Sequence, residues 1–184
     1  MDKTSPYVKC PEYESEHFRL RLVSTDDAED LFLCYSDTEA QKIFNSDNCN
    51  TDFKFATLEH MRAYIDGWID AYKNGYFVRF SIITKADNKA VGTVEIFGGD
   101  YGVLRIDILT AYENENCLDE LLKIADSFFH DFECENIITK AIPEAVCRRN
   151  ALVQNEYAPT AIGDGMKREH YFFKAASDSL SHLR

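Results

Sequence analysis

The chain has 184 residues, 45% of them apolar, a formal net charge of −12 and a pI near 4.8. That length and apolar share fit one folded domain with a sizeable core and exclude a largely disordered chain. The acidic balance opposes a phosphate-backbone partner, so no nucleic acid is expected, and it favours cationic small molecules or basic peptides.

No apolar run approaches the roughly 18 residues of a membrane span, so no membrane partner is expected. The opening MDKTSPYVKCPEYESE lacks the apolar core of a signal peptide. The six cysteines (Cys10, Cys34, Cys49, Cys117, Cys134 and Cys147) form no Cys-x-x-Cys pair. They read as free thiols in a reducing cytoplasm. His130 and Cys134 stand four apart, but no second pair accompanies them, and no metal site is expected.

Residues 1–16 read as a lead-in, 17–175 as a single domain and 176–184 as a tail. HFRLRLV (17–23) alternates Phe18, Leu20 and Leu22 against Arg19 and Arg21, the pattern of a half-buried strand. Ser24 and Thr25 then offer N-caps, and Asp26, Asp27, Glu29 and Asp30 suit the positive end of a helix. Residues 36–56 are polar and predict a loop with one helical turn around Glu39 to Phe44. Thr57 caps a long helix with the stripe Leu58, Met61, Ile65, Trp68, Ile69 and Tyr72, stopped by Asn74-Gly75. YFVRFSIIT (76–84), AVGTVEIF (90–97) and GVLRIDIL (102–109) predict an antiparallel meander joined by KADNK and GGDYG.

The stretch from Gly102 to Phe132 organises the rest. After the strand and the turn TAYENEN comes an amphipathic helix bearing Leu118, Leu121, Leu122, Ala125, Phe128, Phe129 and Phe132. A strand, a tight turn and a helix N-terminus form a ready anion site, because the first-turn amides lack intrahelical partners. The competing and favoured reading of this stretch alone is an ordinary strand-to-helix connection with nothing bound. NIITKAI (136–142) follows as a strand parallel to GVLRIDIL, since a whole helix lies between them. Pro143 opens a short helix over about 144–155, AIGDGMKR is a turn-rich loop, and HYFFKA (170–175) is a last strand.

This order, with FRLRLVSTDDAEDLF, AVGTVEIF, GVLRIDIL and the NEYAP…REHYFFK ending, resembles the GCN5-related N-acetyltransferase (GNAT) superfamily. The similarity is greatest to the branch of ribosomal-protein N-terminal acetyltransferases. The resemblance implies an α/β (α+β) fold with a central mixed, mostly antiparallel sheet, one parallel strand pair and helices on both faces. It implies acetyl-CoA as donor substrate, lying between two splayed strands. The backbone of Ile108, Leu109 and Thr110 would pair with its pantetheine arm, and Asn116, Cys117 and Leu118 would meet its pyrophosphate. The family's loop carries Arg or Gln, Gly, and Gly or Ala where this chain has Glu113, Asn116 and Leu118. Side chains there obstruct the close approach that glycine permits. Two like charges at about 4 Å cost on the order of 4 kcal/mol at a surface dielectric near 20, so Glu113 and Glu115 oppose a pyrophosphate if they point inward. The family's late-helix Tyr falls at Leu152, its Asn at Ala145 and its strand Glu at Lys140.

A general base therefore has to come from elsewhere. Asp107 and Glu95 are the candidates: Arg105 and Asp107 interrupt an apolar strand on one face, and Glu95 lies on the neighbouring strand. The competing reading is a cross-strand Glu95–Arg105 ion pair. Tyr101 and Tyr112 read as pocket lining or as packing, and Arg148/Arg149 as a contact to a CoA phosphate or as an exposed helix face. Three functions follow. The first is a cytoplasmic acetyl-CoA-dependent N-acetyltransferase acting on an amine, a small molecule or a protein N-terminus. The second is a GNAT fold without CoA binding that serves as a ligand-binding or protein-interaction module. The third is an enzyme with a different donor. A cationic amine partner is expected, and edge strands offer a route to a homodimer.

Overall fold

A computed structural model describes residues 5–46, 52–98, 101–160 and 169–176. Most of the polar segment at 47–51, the middle of the glycine-rich turn, the loop at 161–168 and the tail from 177 lie outside these residues.

The alternation in the strands determines how the chain layers. The sheet has eight strands in the order β1-β2-β3-β4-β5-β6-β8-β7. They are β1 (Tyr13–Glu14), β2 (Phe18–Leu22), β3 (Val78–Thr84), β4 (Ala90–Phe97), β5 (Tyr101–Ile108), β6 (Asn136–Lys140), β7 (Ala158–Thr160) and β8 (Tyr171–Ala175). All pairings are antiparallel except β5 with β6, which is parallel as the helical crossover requires. The helices are α1 (Ala28–Ser36), α2 (Thr38–Phe44), α3 (Leu58–Lys73), α4 (Glu115–Asp131) and α5 (Val146–Gln154).

One face of the sheet is wholly apolar. Leu20, Phe80, Ile82, Val94, Ile96, Leu104, Ile106 and Ile108 pack there with Leu118, Leu121, Leu122, Ala125 and Phe128 of α4. Each such side chain contributes roughly 1.5–3 kcal/mol by leaving water. The opposite face carries Arg21, Ser81, Arg79, Thr93, Glu95, Arg105 and Asp107 in adjoining register positions. A second cluster covers this polar face, built from Leu31, Tyr35, Phe44, Phe53, Phe55, Met61, Ile65 and Trp68.

The helix starts follow the sequence signals. Ser24 and Asp27 form a capping box, so the acidic cluster is helix-start chemistry, and Thr57 accepts from the His60 amide. Gly75 takes a φ of 73° just past α3. Three features exceed the sequence expectation. The lead-in contributes β1. The loop after α1 holds a full helix, α2, because the Asp37 carboxylate caps it by accepting from Glu39 and Ala40. The three-residue β7 carries too little pattern to be read from sequence. Among the described residues no helix is long and apolar enough to cross a membrane, and no group of three or more His, Cys, Asp or Glu is placed to hold a metal ion.

Gly92 is needed for the β4–β5 approach, because an added Cβ would lie 2.2 Å from the Asp107 carbonyl oxygen and 2.7 Å from the Ile108 Cα. Both obstacles are backbone. Gly92→Ala is therefore expected to cost about 1–3 kcal/mol in denaturant unfolding, through strain forced into the two central strands.

Candidate functional site

Two places in the fold bring chemistry together, and β5 borders both. The first is the seam between β5 and β6. Their pairing covers only Tyr101–Val103 against Asn136–Ile138, and beyond it the strands part. Leu109 donates its N–H to Val91 on the β4 side, so by alternation the peptide groups of Ile106 and Ile108 face the seam. The Ile106 carbonyl accepts from Arg148 Nη1 at 2.9 Å. The rest of that guanidinium holds Glu113 bidentately, Nε to Oε1 at 2.8 Å and Nη2 to Oε2 at 2.7 Å. Both side chains are only 8% exposed.

Two further contacts tie α4 to α5 beside this pair. Asn150 donates to Glu115 at 2.7 Å and Asn155 to Asp119 at 2.9 Å. The helix N-terminus is also engaged: Asn114 caps α4 by accepting from the Cys117 amide at 3.1 Å. The Thr110 amide is taken by Asp37 Oδ2 at 2.9 Å. Partial burial would raise the Asp37 pKa, but N–H donors led by Thr110 and Ala40 outweigh it and hold the carboxyl below its ordinary value.

The second place lies on the polar face, beneath α3. A cavity of about 490 Å³ is walled by Phe53, Tyr64, Trp68 and Phe77 and floored by Arg79, Glu95 and Arg105. Arg79 is 1% exposed. It donates to Tyr35 Oη (2.9 Å), Thr93 Oγ1 (2.9 Å), Asp107 Oδ2 (3.0 Å) and Glu95 Oε2. Its Nε has no hydrogen-bond partner. The guanidinium carbon lies 4.3 Å from the centre of the Trp68 ring, and that of Arg105 lies 4.5 Å from the centre of Phe53. Burial alone would lower the Arg79 pKa; Glu95 and Asp107 outweigh it and raise it, so the group is charged throughout the accessible pH range. Burial, with the neighbouring Asp107 charge, pushes the Tyr35 phenol well up, so it acts here as a donor.

The expected site residues fall as follows. Asp107 is fully buried, with Oδ1 on Arg105 Nε at 2.7 Å and Oδ2 shared by Arg79, Arg105 and the Tyr35 hydroxyl. Glu95 lines the cavity and binds Arg79 through Oε2, leaving Oε1 without a hydrogen-bond partner among the described residues. Glu95 and Arg105 stand opposite in register, but the Glu95 carboxylate goes to Arg79 instead. Ile108 and Leu118 are buried in the core under α4. The Leu118 amide makes the first intrahelical bond of α4, to the Asn114 carbonyl. Cys117 is capped, and Asn116 sits in the first turn, where helix geometry leaves an amide over. Tyr112 packs edge-on against Phe18. Arg148 corrects the exposed-face reading, since it is buried across the seam. Arg149 donates to the Ala141 carbonyl.

Arg79, Tyr35 and Phe53 join the site without a sequence expectation of a role in it, and Trp68, expected only in a helix stripe, joins it too. The signal for Arg79 was present: one cation in the apolar run YFVRFSIIT, placed by strand register opposite Glu95, itself opposite Arg105.

No protein-family model matches the chain, and no curated protein matches it. Solved structures do. The GNAT-family acetyltransferase from Bacillus anthracis superposes with a TM-score of 0.69 at 16% identity, covering 90% of this chain and 99% of that one. Ribosomal-protein-S5-alanine acetyltransferase from Vibrio fischeri gives 0.66 at 15% identity, covering 91% and 98%. RimL, a ribosomal L7/L12 α-N-protein acetyltransferase in complex with coenzyme A, gives 0.70 at 10% identity, covering 90% and 98%. The chain has the GNAT fold. Acetyl-CoA does not fit the seam as its side chains stand: Arg148 occupies the Ile106 carbonyl, and Glu113 and Glu115 bring carboxylates to the start of α4.

Two outcomes test this geometry. Asp107→Ala leaves two buried guanidinium groups short of their shared counter-charge and is expected to cost about 3–5 kcal/mol of unfolding free energy. Asp37→Ala is expected to cost about 1 kcal/mol at neutral pH through the lost cap. The folded-state pKa of Asp37 is depressed, so its contribution is present above the unfolded carboxylate value near 3.9 and disappears as pH falls through the folded value. The gap between wild type and Asp37→Ala should therefore close in acid unfolding curves.

Proposed function

We propose that the chain is a ligand-binding protein on an acetyltransferase scaffold, and that its aromatic cavity takes a cationic amine. The observation that carries this is the Glu95 carboxylate at the floor of a box of four aromatic rings, with Oε1 unengaged. The charges of Arg79 and Arg105 are already matched, Arg79 by Glu95 and Asp107 and Arg105 by Asp107, and the unpartnered Arg79 Nε is buried away from the cavity's solvent. The floor group left for a ligand is thus a hydrogen-bond acceptor, and an ammonium supplies the donor. Aromatic faces add about 0.5–2 kcal/mol for a cation held against them, and the net charge of −12 raises the local concentration of cations. Glu95 orients the amine, while Asp107, out of reach beneath the floor, positions Arg79 and Arg105.

N-acetylation of that amine is the second reading. The names of the structural neighbours and the parting of β5 from β6 favour it. Glu95, or a water held by it, is then the group that takes the proton of the ammonium. The acetyl-CoA-dependent step waits on release of the Ile106 carbonyl by Arg148.

The experiment is a titration with phenethylamine, read by quenching of Trp68, the sole tryptophan; phenylacetate is the anion of the same shape. A dissociation constant on the order of 100 μM is expected for the amine, about −5.5 kcal/mol, with phenylacetate at least tenfold weaker. Glu95→Gln should weaken the amine about tenfold. Gly67→Leu should block it without unfolding α3, since a side chain added at Gly67 meets nothing within 4 Å and points into a residue-lined cavity. Equal binding of the amine and the anion would sink the reading.

A further inference from the structure

We propose that Glu113 and Arg148 form an exchangeable latch across the seam between β5 and β6, and that a ligand carrying both a phosphate and an amide N–H enters by displacing Glu113 from Arg148. Each half of the latch stands in for a ligand group. Arg148 Nη1 donates to the Ile106 carbonyl at 2.9 Å, the bond that an amide of an extended ligand lying along β5 would make. Glu113 gives Arg148 two short, parallel contacts of 2.8 and 2.7 Å, the fork geometry that a phosphate also satisfies. The pair is nearly sealed from water at 8% exposure on each side, so it is weakly screened.

The latch joins elements distant in the chain. Glu113 ends the turn after β5, and Arg148 lies on α5, on the far side of β6. The Asn150–Glu115 and Asn155–Asp119 contacts run in the same direction. They draw α5 against the start of α4, over the gap that the parted strands leave. Among the described residues Arg148 binds one carboxylate and one carbonyl, and a phosphate can replace the carboxylate. The inference is independent of the amine cavity, because β5 meets the seam through its peptide groups and the cavity through its side chains.

The test is calorimetric titration of the full chain with coenzyme A, using pantetheine as the probe without phosphate. Glu113→Gln removes the competing carboxylate and keeps Arg148. It is expected to bind coenzyme A at least tenfold more tightly than wild type, with no such gain for pantetheine. Arg148→Met loses the phosphate partner and should bind coenzyme A at least tenfold more weakly than Glu113→Gln. Glu113→Gln no tighter than wild type would overturn the latch. Equal affinities of the two variants would overturn the exchange onto Arg148. If either single variant fails to fold by near-ultraviolet circular dichroism, the double variant Glu113→Gln/Arg148→Met leaves no unpaired buried charge. It should admit pantetheine to the open seam, and no pantetheine binding by the folded double variant would likewise overturn the latch.

Discussion

The fold depends on a buried set of alternating charges. Glu95, Arg79, Asp107 and Arg105 lie side by side on one face of three central strands. Removing such groups from water costs several kcal/mol each, and only close pairing recovers it. Pairing here requires the observed register, because a slip of one residue would turn these side chains into the apolar layer under α4. The network therefore fixes strand alignment as well as charge. It also reaches the covering helices: Tyr35 of α1 hydrogen-bonds to Thr93, Asp107 and Arg79, and Trp68 of α3 lies over the Arg79 guanidinium.

Strand β5 is the shared wall of two sites of opposite character. Its side chains at Arg105 and Asp107 belong to the polar face, while its peptide group at Ile106 looks into the seam. The cavity is lined largely by aromatic rings and floored by paired charges. The seam is polar and filled by the protein's own side chains. The cavity beneath α3 is open, whereas the seam is closed by the Glu113–Arg148 ion pair.

Much of the fold was legible because periodicity and punctuation agreed. Phe18, Leu20 and Leu22 alternated as a strand, Ser24 and Thr57 marked caps, Asn74-Gly75 marked a stop, and the helix between β5 and β6 required the one parallel pair. The Asp37 cap was hidden because a single Asp in a polar stretch marks loops as well as helices. β7 was hidden because three residues, one of them proline, carry too little alternation to mark a strand. At the site, Glu95, Arg105 and Asp107 stood out as charges within strands, but their pairings did not. Glu95 faces Arg79 on one side and Arg105 on the other and pairs with Arg79, and nothing in the local sequence separates the two. Arg148 on its short helix read as surface, because nothing local indicates that Glu113, far back in the chain, meets it.

The limited pairing of β5 with β6 has a mechanical consequence. Among the described residues, only the Tyr101–Val103 stretch joins the long antiparallel part of the sheet by backbone pairing to β6, β8 and β7. Few backbone hydrogen bonds cross this line, so it acts as a hinge pin rather than a weld. A shared core still spans this line, since Ile137, Tyr157 and Phe172 pack in the same cluster as Phe80 and Ile106. The side-chain ties between α4 and α5 add a second connection across it.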